Sequence, residues 1–137
     1  MDSRESQNVG YYKRSVDELE TVYTRPQENG NRHEVRRAAL YDVKMNGILA
    51  AGAPLFDFSA HHYTPQALDA ANHPHELEEI DEVVVHFDWK NAPLGSNSCG
   101  PRPDEALLIQ PKDFKFSMTF KGFVAGELND TTFFTMI

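Results

Sequence analysis

The sequence predicts an all-β domain, an antiparallel sandwich with one short helix, and three observations carry that expectation. Residues 83–89 alternate Val83, Val85, Phe87 and Trp89 with Val84, His86 and Asp88, the period-two pattern of a strand with β-branched and aromatic groups at its buried positions. Residues 114–121 repeat it, Phe114, Phe116, Met118 and Phe120 against Lys115, Ser117, Thr119 and Lys121, so one face is apolar and the other wet. Between the apolar runs lie turn residues and a single helix start, with no strand–helix–strand alternation of the kind that builds a doubly wound sheet.

Taken in order, residues 1–21 are mostly polar, with Tyr11, Tyr12, Val16 and Leu19 as the sizeable apolar groups. They predict an extended lead-in with at most one short element. The body of the domain is expected over 22–122. It opens on a turn, where Pro26 fixes φ and Asn29-Gly30 supplies a positive φ. A strand over 34–43 follows, with Val35, Ala39, Tyr41 and Val43 on one face, and Asn46-Gly47 turns it back into Ile48-Leu49-Ala50-Ala51 as a hairpin. Arg37 interrupts that face.

Residues 55–63 make a third strand, with Phe56, Phe58, Ala60 and His62 opposite Leu55, Asp57, Ser59, His61 and Tyr63. Thr64 then Pro65 place a cap and a first-turn proline before good helix formers, which predicts a helix of about two turns ending near Asn72. Glu76, Glu78, Glu79, Asp81 and Glu82 read as a solvated rim before the strand at 83–89, which is expected to be internal and to organise the chain. That strand empties into a long loop punctuated by Pro93, Gly95, Gly100, Pro101 and Pro103, with Cys99 in its middle. An irregular loop held on a rigid strand is where binding groups tend to sit. The segment 123–137 has no period and is assigned as a C-terminal tail.

Composition limits the function classes. Leu, Ile, Val and Phe make 32 of 137 residues, a core that can fold but is thin. Thirteen basic residues against 21 acidic ones give a net charge of −8, which would repel a nucleic-acid backbone or an anionic membrane; neither is expected as a partner. No apolar run approaches a membrane span and no secretory h-region is present, and one cysteine excludes an internal disulfide. The expectation is a cytoplasmic protein.

Three chemistries are weighed against plainer roles. Six histidines at 33, 61, 62, 73, 75 and 86 raise metal binding, since His73-x-His75 could chelate with His61 or His62; the spacing is weak and adjacent His61 and His62 point to opposite strand faces, so no metal is assigned. Cys99 as a nucleophile would need a base such as His86 and a positive neighbour such as Arg102; shaping the loop is the plainer role. A glycosidase needs two carboxyl groups across one sugar, and spacing nominates no pair among the 21 acids. No catalytic residue is assigned, and no cofactor.

Four ordered blocks carry a resemblance: Pro26-Gln27-Glu28-Asn29-Gly30-Asn31-Arg32, Phe58-Ser59-Ala60-His61-His62-Tyr63-Thr64, His75-Glu76-Leu77, and Leu94-Gly95-Ser96-Asn97-Ser98-Cys99-Gly100-Pro101. Over about residues 2–103 the chain resembles the C-terminal domain, or small chain, of family 2 β-galactosidases. The resemblance implies about half of a galactose-mutarotase-like supersandwich, packed on a separate (β/α)8 barrel that owns the catalytic glutamates. Loops of the domain would reach the active-site mouth, with Asn97, Ser98 and Cys99 on the substrate side and Glu28, Asn29 and Arg32 holding loop architecture. Cys99 stands where many relatives have a tryptophan that stacks on the sugar, a contact of about 1 kcal/mol. Arg37 and Pro93 also depart from the family, which more often has tryptophan and glycine there.

The function expected is therefore an accessory domain of a β-galactosidase, helping to hydrolyse lactose-type β-galactosides only together with a barrel. Its partner would be a barrel-bearing chain or a second copy of itself, because the missing strands would leave exposed edges and apolar surface. The alternative is a free-standing galactoside-binding sandwich, gripping sugar with residues 97–103 and with aromatics such as Trp89 or Tyr63. Epimerisation rests on fold analogy alone.

Overall fold

The computed structural model describes residues 8–92 and 105–128. It is all-β and antiparallel with one short helix, as the alternating patterns require. Four strands form one sheet: β1 (Arg32–Tyr41), β2 (Gly47–His61), β3 (Val84–Asp88) and β4 (Ser117–Phe123). The helix α1 (Pro65–Ala70) follows β2, and Thr64 caps it by accepting from the Ala67 amide at 3.1 Å.

β2 is the organising element, with 15 residues. β1 pairs along one of its edges, while β4 takes residues 47–53 and β3 takes residues 57–61. This corrects two expectations. The runs at 48–51 and 55–63 are one strand, and the strand at 83–89 is narrower and terminal in the order β1-β2-β3.

The join within β2 is an irregularity that turn rules do not foresee. Between the pairs Arg37↔Ala51 and Val35↔Phe56, residues 52–55 of β2 stand opposite Arg36 alone. Pro54, after a cis peptide bond, has no amide to offer the ladder, and a Cβ on Gly52 would meet the Phe56 ring at 2.5 Å. The bulge exchanges the faces of β1. Val35, Ala38 and Leu40 therefore pack on the core, rather than Val35, Ala39, Tyr41 and Val43. Val43 sits in the hairpin turn and is wholly exposed.

The core lies on one face of the sheet around Ala50, Phe56, Phe58 and Ala60. Phe87 packs on both Phe56 and Phe58, with ring centroids 5.8 and 5.7 Å apart, and burying a side chain such as Phe56 contributes about 1.5–3 kcal/mol. Val16 and Leu19, from a short 3-10 turn at Asp17–Leu19, also pack against this cluster. Elsewhere on the same face Phe120 is 50% exposed and Ile48 41%. On the opposite face Tyr41 meets Phe123 edge-on at 6.3 Å, and β4 runs to that buried Phe123. Phe114 lies before β4 and stacks on Trp89, with rings 4.1 Å apart and 7° from parallel.

Two loop positions with left-handed backbone have opposite chemistry. Gly30 has φ +70 and a Cβ there would meet the Leu19 carbonyl oxygen at 2.5 Å. In the β1–β2 hairpin the left-handed residue is Met45, φ 64, in a turn where Asp42 Oδ1 accepts from the Lys44 and Asn46 amides at 2.8 and 2.9 Å; Gly47 is already strand. Those donors hold the Asp42 carboxyl below its usual range. Urea unfolding should find Gly30→Ala destabilised by about 2 kcal/mol, and Met45→Gly stabilised by about 0.5–1 kcal/mol, since left-handed backbone costs an L-residue about 1–2 kcal/mol.

Candidate functional site

Past the bulge, the side of β2 that faces away from the phenylalanine core turns polar: Asp57, Ser59 and His61 alternate with Phe56, Phe58 and Ala60. His86 and Asp88 of β3 register on the same side. The loop 28–31 and the start of α1 wall this surface into a cleft. Two buried groups hold residues of its lining in place.

Asp57 is the first, 4% exposed. Its Oδ2 accepts from the Asn91 amide at 2.7 Å and from His33 Nδ1 at 3.0 Å, and its Oδ1 accepts from the Glu34 amide at 3.3 Å. Glu34 has φ 55, which turns its amide toward the carboxylate. Asn91 Nδ2 in turn donates to Asp88 Oδ2 at 3.1 Å. One carboxylate thus joins β1 to the chain leaving β3, immediately before residues 93–104.

Asn29 is the second. Its Oδ1 accepts from the Thr21 amide at 2.8 Å, its Nδ2 donates to the Gln27 carbonyl at 3.0 Å, and its carbonyl accepts from His61 Nε2 at 2.8 Å. The lead-in, the turn and β2 meet at this residue. His61 therefore carries its proton on Nε2, and its buried Nδ1 has no hydrogen-bond partner among the described residues.

Of the residues singled out in the sequence, Glu28 is exposed and lines the cleft, Asn29 is the buried junction, and Arg32 Nη1 donates to the Gly30 carbonyl at 2.8 Å. Asn97, Ser98 and Cys99 lie outside the described residues. His61 and His62 do not join His73 and His75: His61 is committed to Asn29, while His62 Nδ1 lies 3.1 Å from the Ile80 carbonyl and its Nε2 3.8 Å from Asp17. Trp89 has Phe114 on its ring, and the Lys90 ammonium lies 5.4 Å from the ring centroid, so its aromatic surface is already in use. Sequence reasoning missed Asp57, His33 and Asn91. The available signal was an acid between two phenylalanines in Phe56-Asp57-Phe58.

Tyr63 stands at the junction of this cleft and a second one walled by residues 20–23. Its hydroxyl donates to Glu79 Oε1 at 3.1 Å. Burial, that hydrogen bond and the carboxylates of Glu20, Glu79 and Asp17 push the phenol up to about 12.

The described residues thus form an antiparallel sheet with a half-open apolar face and, on its other side, a walled polar cleft. The family follows from comparison: the β-galactosidase small chain model matches residues 1–120, and the chain belongs to that family. It is similar to the β-galactosidases of Actinobacillus pleuropneumoniae, 30% identical over 84% of this chain, of Arthrobacter sp. (strain B7), 35% over 77%, and of Priestia megaterium, 33% over 70%. The chain spans only 11%, 11% and 9% of those relatives' lengths. Among the described residues no helix is long and apolar enough to cross a membrane.

Two outcomes check the site. Asp57→Ala would leave three donors facing a carboxylate's place and should cost about 3 kcal/mol or more in chemical denaturation, with Asp57→Asn intermediate because it retains one acceptor. For Tyr63 the folded value lies above the ordinary 10.0, so the folded chain holds the proton more tightly than the unfolded one. Its stabilising effect is complete below pH 10 and is lost as the pH climbs toward 12; the phenolate absorbance missing from a Tyr63→Phe variant should appear only in that upper range.

Proposed function

We propose that this chain is the accessory C-terminal domain of a glycoside hydrolase family 2 β-galactosidase of the cytoplasm. It packs on a catalytic (β/α)8 barrel and shapes the galactoside site for lactose-type substrates. The observation that carries this reading is the incomplete apolar face. Phe120, Ile48 and Leu40 share the core side of the sheet, yet Ile48 keeps 41% of its surface and Phe120 keeps 50% even though its ring meets Phe87 edge-on at 5.3 Å. Exposed apolar area of this kind marks an interaction surface, and a chain matching about a tenth of each relative has the rest of such an enzyme as its natural partner.

The polar half of the sheet has a different task in this reading. Asp57 and Asn91 anchor one end of the segment that contains Asn97, Ser98 and Cys99, and these three residues would contact the sugar. Glu28, Asn29 and Arg32 hold the neighbouring loop against β2. The body 22–122 would dock, and the bond-breaking carboxylates would come from the barrel.

A free-standing galactoside-binding module is the second reading, and the cleft beside Ser59 and His86 is what favours it. Trp89 already carries Phe114 stacked on its ring, whereas Tyr63 lines the cleft. The purified chain should show no turnover of a chromogenic β-galactoside, and should raise the activity of a barrel-bearing chain that lacks this domain. Turnover by the chain alone overturns the accessory reading. Calorimetric heat with millimolar galactose or lactose would favour the second.

A further inference from the structure

His33, His61 and His62 each have a ring nitrogen engaged with a partner elsewhere in the fold. His73 and His75 differ. Both are exposed on the turn Pro74–Glu76, their rings stacked with centroids 5.4 Å apart, and Glu76 sits beside them. His73 Nδ1 and Glu76 Oε1 are 2.9 Å apart. One ligand atom from each of the three residues lies within 4.8 Å of the other two.

We propose that His73, His75 and Glu76 form a surface site for a divalent transition-metal ion, Zn2+ being the representative. Two imidazoles and one carboxylate are the donor set such an ion prefers, with water completing its coordination. Bonds of about 2.0–2.2 Å place neighbouring ligand atoms roughly 2.9–3.5 Å apart around one ion. The His73–Glu76 pair already has that spacing. Only His75 must close in, and its side chain is exposed.

The backbone beneath the three ligands is fixed. Pro74 sets φ at the start of the turn, the Glu76 amide donates to the His73 carbonyl at 3.0 Å, and the Leu77 amide donates to the Pro74 carbonyl at 3.1 Å. All three ligands therefore ride on four consecutive residues, and closing so short a loop around an ion costs little entropy. Glu76 Oε2 accepts from the Asn72 amide at 2.8 Å, the outer contact that orients a ligating carboxylate. The third ligand is Glu76, where the sequence spacing had pointed to His61 or His62.

The test is a titration of ZnCl2 into the full 137-residue chain in a non-chelating buffer, read by calorimetry and by thermal melting. One equivalent should bind in the micromolar range and raise the melting temperature. The double variant His73→Ala/His75→Ala should weaken binding at least about tenfold. Glu76→Gln keeps an acceptor for Asn72 but loses the charge, and should weaken it several-fold. Cys99→Ala should bind as the parent chain does. Absence of binding below millimolar zinc overturns the site, as does undiminished binding by the double histidine variant or loss of binding in Cys99→Ala alone. Copper-induced broadening confined to the His73 and His75 ring signals would support it without any variant, and broadening elsewhere would overturn it.

Discussion

Asp57 is the charge around which the polar half of this molecule is arranged. A carboxylate almost shut off from water is tolerated only where donors replace its hydration, and here the donors come from three places in the chain: His33, the Glu34 amide and the Asn91 amide. Each is held where the carboxylate needs it. Glu34 adopts a left-handed backbone to aim its amide, and Asn91 is fixed a second time through Asp88. The cleft residues His33 and Asn91 therefore share one electrostatic anchor.

The opposite side of β2 is governed by burial alone. Phe56, Phe58 and Ala60 are covered by the lead-in turn and by Phe87, while Phe120, which Phe87 touches only edge-on, and Ile48 stay half-exposed among the described residues. Among the described residues the face is finished at one end and half-open at the other, in a chain that spans about a tenth of its β-galactosidase relatives. The bulge at residues 52–55 lies where β2 changes partner. On one side of it β2 pairs with β4, and on the other with β3.

Asn29 and Gly30 join the two halves. A single amide side chain ties Thr21 to Gln27, and its backbone carbonyl receives the His61 ring. The glycine beside it admits the Leu19 carbonyl at a distance no Cβ would allow. The Pro-Gln-Glu-Asn-Gly-Asn-Arg block is thus a structural junction as well as a family signature.

By itself the sequence determined the all-β class, the capped helix at Thr64, the alternating faces of residues 56–61 and the family, because each of these rests on local periodicity, on a local hydrogen bond or on ordered short blocks. Only the tertiary structure decided that 47–61 is one strand, that Ala38 and Leu40 rather than Ala39 and Tyr41 face the core, and that Trp89 is stacked. These follow from where residues 52–55 fall opposite Arg36 and where Phe114 folds back, and strand register is a property of two chain segments that neither one encodes alone. The same reason hid Asp57: an acid between two phenylalanines becomes a hub only when partners 23, 24 and 34 residues away are brought to it.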